Sequence, residues 1–307
     1  MDKIKELQEL LKDNPNDYKL IEEYAIALSE IGENEEALKN FIYLKNNFPP
    51  SALVYYNIGI ILEKLKYYEE AVESYERALK ISPEDTDIMF NLAYSYIKEK
   101  KYDESEALFL KVLELDTEDF NSYFHLGEIY SRTQKFDKAV EMLSKSLSLN
   151  PEDNIAKFYL AYSYKQLGQV DTAIKLYEEI IESAPDYSWA YFNLASIYIE
   201  QNEDEKAIYY LQSTIKANPL DSSAIKSLAK ILCKNKKYSD AENLLKKALT
   251  DFPLEADFPY LLAKVYKILN DNVNYLKYLK STEKKGTTFS GSIDDLKEEI
   301  LEVENKK

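Results

Sequence analysis

Of 307 residues, only one is cysteine, one histidine, two arginine and six glycine. Each shortage removes a class of chemistry. Cys233 alone forms no intramolecular disulfide, and a reducing, cytoplasmic compartment is the simplest expectation. His125 has no second His or Cys nearby in the chain, so no metal site is expected, and no calcium-loop pattern accompanies the acidic turns. The glycines are scattered, which leaves no glycine-rich phosphate loop, and no cofactor is expected. With 37 Lys to 2 Arg, most bidentate phosphate recognition is absent, and a formal charge of -16 opposes binding to phosphate backbones. Nucleic acid is therefore excluded as a partner class. No window offers 18 consecutive apolar residues, and Met1 to Leu10 carries charge at every turn, so neither a signal peptide nor membrane insertion is expected.

What the chain does have is a period. Pro15, Pro49, Pro83, Pro151, Pro185, Pro219 and Pro253 fall on one 34-residue ladder, and Thr117 occupies the vacant rung. Counting each unit from three residues after its proline, position eight is Ala25, Gly59, Ala93, Gly127, Ala161, Ala195, Ala229 and Ala263. Position twenty is Ala37, Ala71, Ser105, Ala139, Ala173, Ala207 and Ala241, with Tyr275 departing in the last unit. Small side chains at two such places let paired helices approach closely. Bulky residues at helical spacing, such as Leu126, Ile129 and Tyr130, then Leu143 and Leu147, complete a helix, turn, helix unit. Gly32 and Gly168 can end first helices in the left-handed region, with Asn202 and Asn270 in the equivalent places. Proline stops each second helix, and Asp or Asn nearby can cap the next.

Small residues at eight and twenty, an aromatic near eleven and proline at thirty-two together resemble the tetratricopeptide repeat family. The resemblance implies an all-α, right-handed superhelical solenoid of helix-turn-helix repeats with a C-terminal capping helix. Its expected organisation is a half repeat over 1–17, seven repeats over 18–255, a degenerate eighth over 256–282, and a linker with an amphipathic helix over 283–307. Pro259, Asn272 and Tyr275 are departures in the eighth unit. Stacked pairs of this kind leave a concave wall, where a ligand is sought.

The family places the first helix of each pair on that wall, with positions two, five, six, nine, twelve and thirteen facing the channel. Position five reads Tyr56, Phe90, Phe124, Phe158 and Phe192, an aromatic row that Tyr94, Tyr162 and Trp189 extend. Two readings stand: rings that pack against neighbouring helices, or an apolar strip larger than a monomer usually exposes. Position six reads Asn57, Asn91, His125, Tyr159 and Asn193. Its carboxamides donate and accept together, and the row is similar to the asparagine ladder of O-linked N-acetylglucosamine transferase repeats, interrupted at His125 and Tyr159. No three successive units match the carboxylate clamp of chaperone-binding members, so that reading is rejected.

Charge is uneven along the chain. Ser222 to Lys285 carries net +6, whereas Met1 to Asp221 carries net -19. Lys226, Lys230 and Lys234 share one helical stripe, and Lys264 and Lys267 follow on the next first helix. They form a candidate site for an acidic ligand segment, or a solvated face. The acidic tail, with Asp294, Asp295, Glu298 and Glu299, is a candidate competitor within the chain itself. Cys233 lies among lysines that could lower its thiol pKa, although a small side chain at an unselective helical site is the plainer account.

These features point to a non-enzymatic interaction module that binds an extended protein or peptide segment, an adaptor or assembly factor. The alternative is a scaffold that self-assembles through repeat ends or outer faces, a homo-oligomer. The Lys, Asn, Ile and Tyr bias suggests an AT-rich, bacterial genome.

Overall fold

The computed structural model describes residues 2–305, and its regular structure is helical throughout, with 18 α-helices and no strand among the described residues. Two compact units are present, one up to Gly168 and one from Gln169 onward. The unbroken 34-residue period carries no mark of this division.

The first unit opens with α1 (Asp2–Asp13). Four pairs follow: α2 (Tyr18–Glu30) with α3 (Asn34–Asn47), α4 (Ala52–Lys64) with α5 (Tyr68–Ile81), α6 (Thr86–Lys98) with α7 (Tyr102–Leu115), and α8 (Phe120–Arg132) with α9 (Phe136–Leu149). It closes with α10 (Asn154–Gln166). The second unit holds α11 (Val170–Ser183), then the pairs α12 (Ser188–Glu200) with α13 (Asp204–Ala217), α14 (Ser222–Lys234) with α15 (Tyr238–Asp251), and α16 (Asp257–Ile268) with α17 (Asn272–Lys284). A 3-10 turn over Gly286–Thr288 leads to α18 (Ile293–Asn305).

The pairing follows from side-chain size. Every position-eight residue is buried, and so is every position-twenty residue. Into the space they leave comes position twenty-four, held by Phe41, Tyr75, Phe109, Leu143, Tyr177, Leu211, Leu245 and Leu279, all with no exposed surface. Each such side chain contributes about 1.5 to 3 kcal/mol by leaving water. Two of the holes are glycine, and a Cβ added at Gly59 would lie 2.5 Å from the Tyr75 ring. Ser105 fits among the alanines because its hydroxyl donates to the Ala93 carbonyl at 2.7 Å.

The turns repeat with the same period. Gly32, Lys66, Lys100, Gln134, Gly168, Asn202, Lys236 and Asn270 all have φ between 59° and 86°, and all stand at position fifteen. Around each non-glycine member the next amide reaches back five residues, as in Lys101 N to Tyr96 O at 2.9 Å and Lys135 N to Tyr130 O at 2.8 Å, which satisfies carbonyls the helix end leaves open. First helices begin at aspartates whose carboxylates accept the open amides, among them Asp17, Asp85, Asp119, Asp153 and Asp221.

In the first unit, successive first helices (α2, α4, α6, α8, α10) pack on one another, and no closely packed pair of second helices occurs among the described residues. The stack is thus shorter along its first helices, and that side is the inner wall of this unit. Tyrosines on first helices tie each pair to the one before it: Tyr96 donates to Glu76 and Tyr130 to Glu106, both at 2.8 Å.

Candidate functional site

On the inner wall of the first unit the position-five rings are half-buried. Tyr56 lies 6.0 Å from the Tyr75 ring, Phe90 5.4 Å from Phe109, and Phe124 4.9 Å from His125. Each ring also meets position six of the next pair: Tyr56 accepts a hydrogen bond from Asn91 at 2.9 Å, Phe90 lies 5.6 Å from His125, and Phe124 lies 6.1 Å from Tyr159. The rings pack between neighbours on one side and keep the other side at the wall. Phe158 leans on Tyr159 at 5.8 Å, Tyr94 on His125 at 5.4 Å, and Tyr162 on Phe136 at 6.1 Å.

The carboxamides are partly engaged within the chain. Asn57 donates to the Leu53 carbonyl at 2.9 Å, and Asn91 to Tyr56. An amide has two N–H groups and an acceptor oxygen, so one used donor leaves it able to bind further. His125 is the centre of the wall. Its ring stacks on Phe109 at 5.3 Å, and Nδ1 lies 3.2 Å from Glu128. Glu128 also accepts Arg132 Nη2 at 2.8 Å and the Tyr159 hydroxyl at 3.3 Å. Burial alone would raise the Glu128 carboxyl, but His125 and then Arg132 outweigh it and hold it at about 2. Sequence reasoning missed Glu128 and Arg132, although His125, Glu128 and Arg132 stand three and four residues apart on one helix face.

In the second unit Trp189 is 62% exposed, beside half-buried Phe192 and Asn193, whose amide donates to the Trp189 carbonyl at 2.8 Å. The lysine stripe is largely neutralised by the chain's own acids. Lys226 binds Glu255 at 2.7 Å and Asp257 at 3.3 Å, Lys234 binds Asp204 at 2.8 Å, and Lys264 and Lys267 both bind Glu299 of α18, at 2.6 and 2.9 Å. Lys230 has no ion pair among the described residues, and it lines a cleft of about 340 Å³ with Tyr260, Phe289 and Asp295.

Tetratricopeptide repeat models match residues 52–85, 84–152, 124–188 and 164–231, and together they span more than half of the chain. The chain belongs to the tetratricopeptide repeat family. Solved structures agree on the fold. A C-terminal part of a tetratricopeptide repeat-containing protein from Cytophaga hutchinsonii is 19% identical, with a TM-score of 0.59 over 73% of this chain and 93% of that one. YrrB, a tetratricopeptide repeat protein with an unusual peptide-binding site, is 22% identical, with a TM-score of 0.51 over 60% of this chain and 95% of its own. MamA is 22% identical, with a TM-score of 0.50 over 56% of this chain and 94% of its own. No curated protein matches the sequence.

Membership makes the chain a protein-protein interaction module, as tetratricopeptide repeats generally are, and directs attention to side-chain surfaces rather than to enclosed chemistry. Among the described residues no helix is long and apolar enough to cross a membrane, and no three His, Cys, Asp or Glu side chains gather as metal ligands would. Cys233 departs from the lysine-activated reading. It is half-buried, and burial raises its thiol pKa, because a thiolate there would lose hydration.

Proposed function

We propose that this tetratricopeptide repeat protein is a non-enzymatic adaptor or assembly factor that holds an extended segment of another protein on its first-helix wall. The observation that carries this reading is the half-buried row of Tyr56, Phe90, Phe124 and Phe158 in the first unit, flanked by Asn57, Asn91 and His125. Rings fixed from behind give apolar contact at little cost in side-chain entropy, and the amides can pair with peptide backbone. The peptide-binding site named for YrrB supports the same use of the fold. In the second unit Trp189, Phe192 and Asn193 offer a similar set.

Peptides selected on the full chain from a random display library are expected to bind at about micromolar strength, worth ~8 kcal/mol. Phe124→Ala with Phe158→Ala is expected to weaken them at least tenfold while helicity by circular dichroism is kept. Equal binding by the variant sinks the reading. A scaffold that self-assembles through outer faces is the second reading, supported by Tyr209 on a second helix at 61% exposure and Leu254 in an inter-repeat turn at 79%. Light scattering decides between them: a mass that grows with concentration favours assembly.

A further inference from the structure

Tyr275 breaks the small-residue rule at position twenty, and its hydroxyl has a use: it donates to Glu299 on α18. The same carboxylate takes Lys264 at 2.6 and 2.8 Å and Lys267 at 2.9 Å. Three side chains from two helices thus read one acid. Leu296 and Ile300, three residues before it and one after, are the buried residues of α18, and Lys280 adds a pair with Glu304 at 2.5 Å. The outward face of α18 carries Asp294, Asp295, Glu298 and Glu302.

The segment before α18 is held separately. Thr288 accepts the Ala256 amide at 3.0 Å, Ser290 donates to Asp257 through its amide and hydroxyl, and Phe289 packs on Tyr260 at 4.8 Å. These contacts end at Ser290. Beyond exposed Gly291, Ser292 only caps α18 itself. The start of α16 is thus held by residues that precede α18 and not by α18 itself.

We propose that this seat, formed by Lys264, Lys267 and Tyr275, is a docking site for an acidic amphipathic helix of a partner protein, and that α18 is its occupant in cis. Charge complementarity argues for that partner: the stretch from Ser222 to Lys285 is net +6, and α18 brings six acids against one lysine. A carboxylate read by three donors from two helices demands an acid at that place in whatever occupies the seat. Lys230 shares a cleft with Asp295, one turn before Glu299, and offers a partner a cation that α18 leaves unpaired. The fitting helix has an acid at the place of Asp295, then Leu, then Glu three residues on, then Ile. The inference rests on the protein-interaction reading above and names one class of segment; it does not depend on the ring row.

The tether gives α18 an effective concentration of about millimolar, so a partner competes with it, and a seat that is 90 to 99% filled in cis weakens partner binding about 10- to 100-fold. The test uses a fluorescent peptide with the sequence of residues 292–305 and the full chain. Glu299→Gln in the chain is expected to tighten peptide binding at least tenfold over the unaltered protein, and Lys264→Ala with Lys267→Ala in that background is expected to abolish the gain. Leu296→Asp, which unseats α18 without touching the seat, must reproduce it, and circular dichroism confirms that each variant is folded. Equal binding by the unaltered and Glu299→Gln chains, or a gain that survives loss of both lysines, overturns the proposal. A concentration-dependent mass lost with the lysines would assign the seat to a second copy instead and overturn the partner assignment. Phe124→Ala with Phe158→Ala should leave this peptide's binding unchanged, which separates failure here from failure of the ring-row reading.

Discussion

Gly127 shows how one residue is decided by competing magnitudes. It lies inside α8, where alanine is ordinarily favoured over glycine by about 1 kcal/mol. An added Cβ would stand 2.4 Å from Leu143 Cγ and 2.8 Å from its Cδ2, and Leu143 is fully buried with nowhere to retreat. Overpacking of this kind costs about 1 to 3 kcal/mol. Gly127→Ala is therefore expected to destabilise the protein by about 1 kcal/mol, read as a lower denaturant midpoint. A stabilised variant would show that the helix pair can widen. The sequence disclosed that position eight must be small, since eight of eight units agree, but not which units need glycine: Leu143 faces Gly127 whereas Leu211 and Leu245 face alanines, so the identity of the knob sixteen residues later does not decide it.

At the scale of the element, the turn between paired helices is the most regular feature and only half of it was legible. Glycine or asparagine at positions 32, 168, 202 and 270 announces a left-handed residue. Lysine at 66, 100 and 236 and glutamine at 134 do not, yet all four adopt φ near 60°. The constraint belongs to the place in the period, and a long polar side chain tolerates it at a cost of about 1 kcal/mol. Lys100→Gly is expected to raise stability by about 0.5 to 1 kcal/mol in urea unfolding, part of the gain being lost to the freer unfolded chain. The same change at Lys111, in the body of α7, should lower it by about 1 kcal/mol. Two losses, or no difference between the sites, would contradict the turn geometry. The ring row was likewise legible as a row, but its half-burial depends on Phe109 and Tyr75 coming from the second helices, which no count along the first helices reveals.

For the whole molecule, the helix pairs could be read from period and side-chain size, whereas the division at Gly168 and the seating of Glu299 could not, since both arise from contacts between distant residues. Charge acts at this scale in two opposed ways. A net charge of -16 at pH 7 favours expansion, and mild acid relieves that repulsion. Against it stand two carboxylates, Glu128 in the first unit and Glu299 in the second, each held at about 2. In Glu299, burial raises the pKa but is outweighed by Lys264, Tyr275 and Lys267. A carboxyl whose folded pKa lies below its ordinary 4.5 contributes stability that is fully present above 4.5 and is lost as pH falls towards 2. Glu128→Gln keeps the shape but not the charge, so the gap between the unaltered protein and this variant isolates the effect from the general relief of repulsion. That gap is expected to be about 1 to 3 kcal/mol at pH 5 and to close as pH approaches 2, measured by urea unfolding at each pH. A gap equally large at pH 3 and pH 5 would mean that His125 and Arg132 do not hold Glu128 ionised.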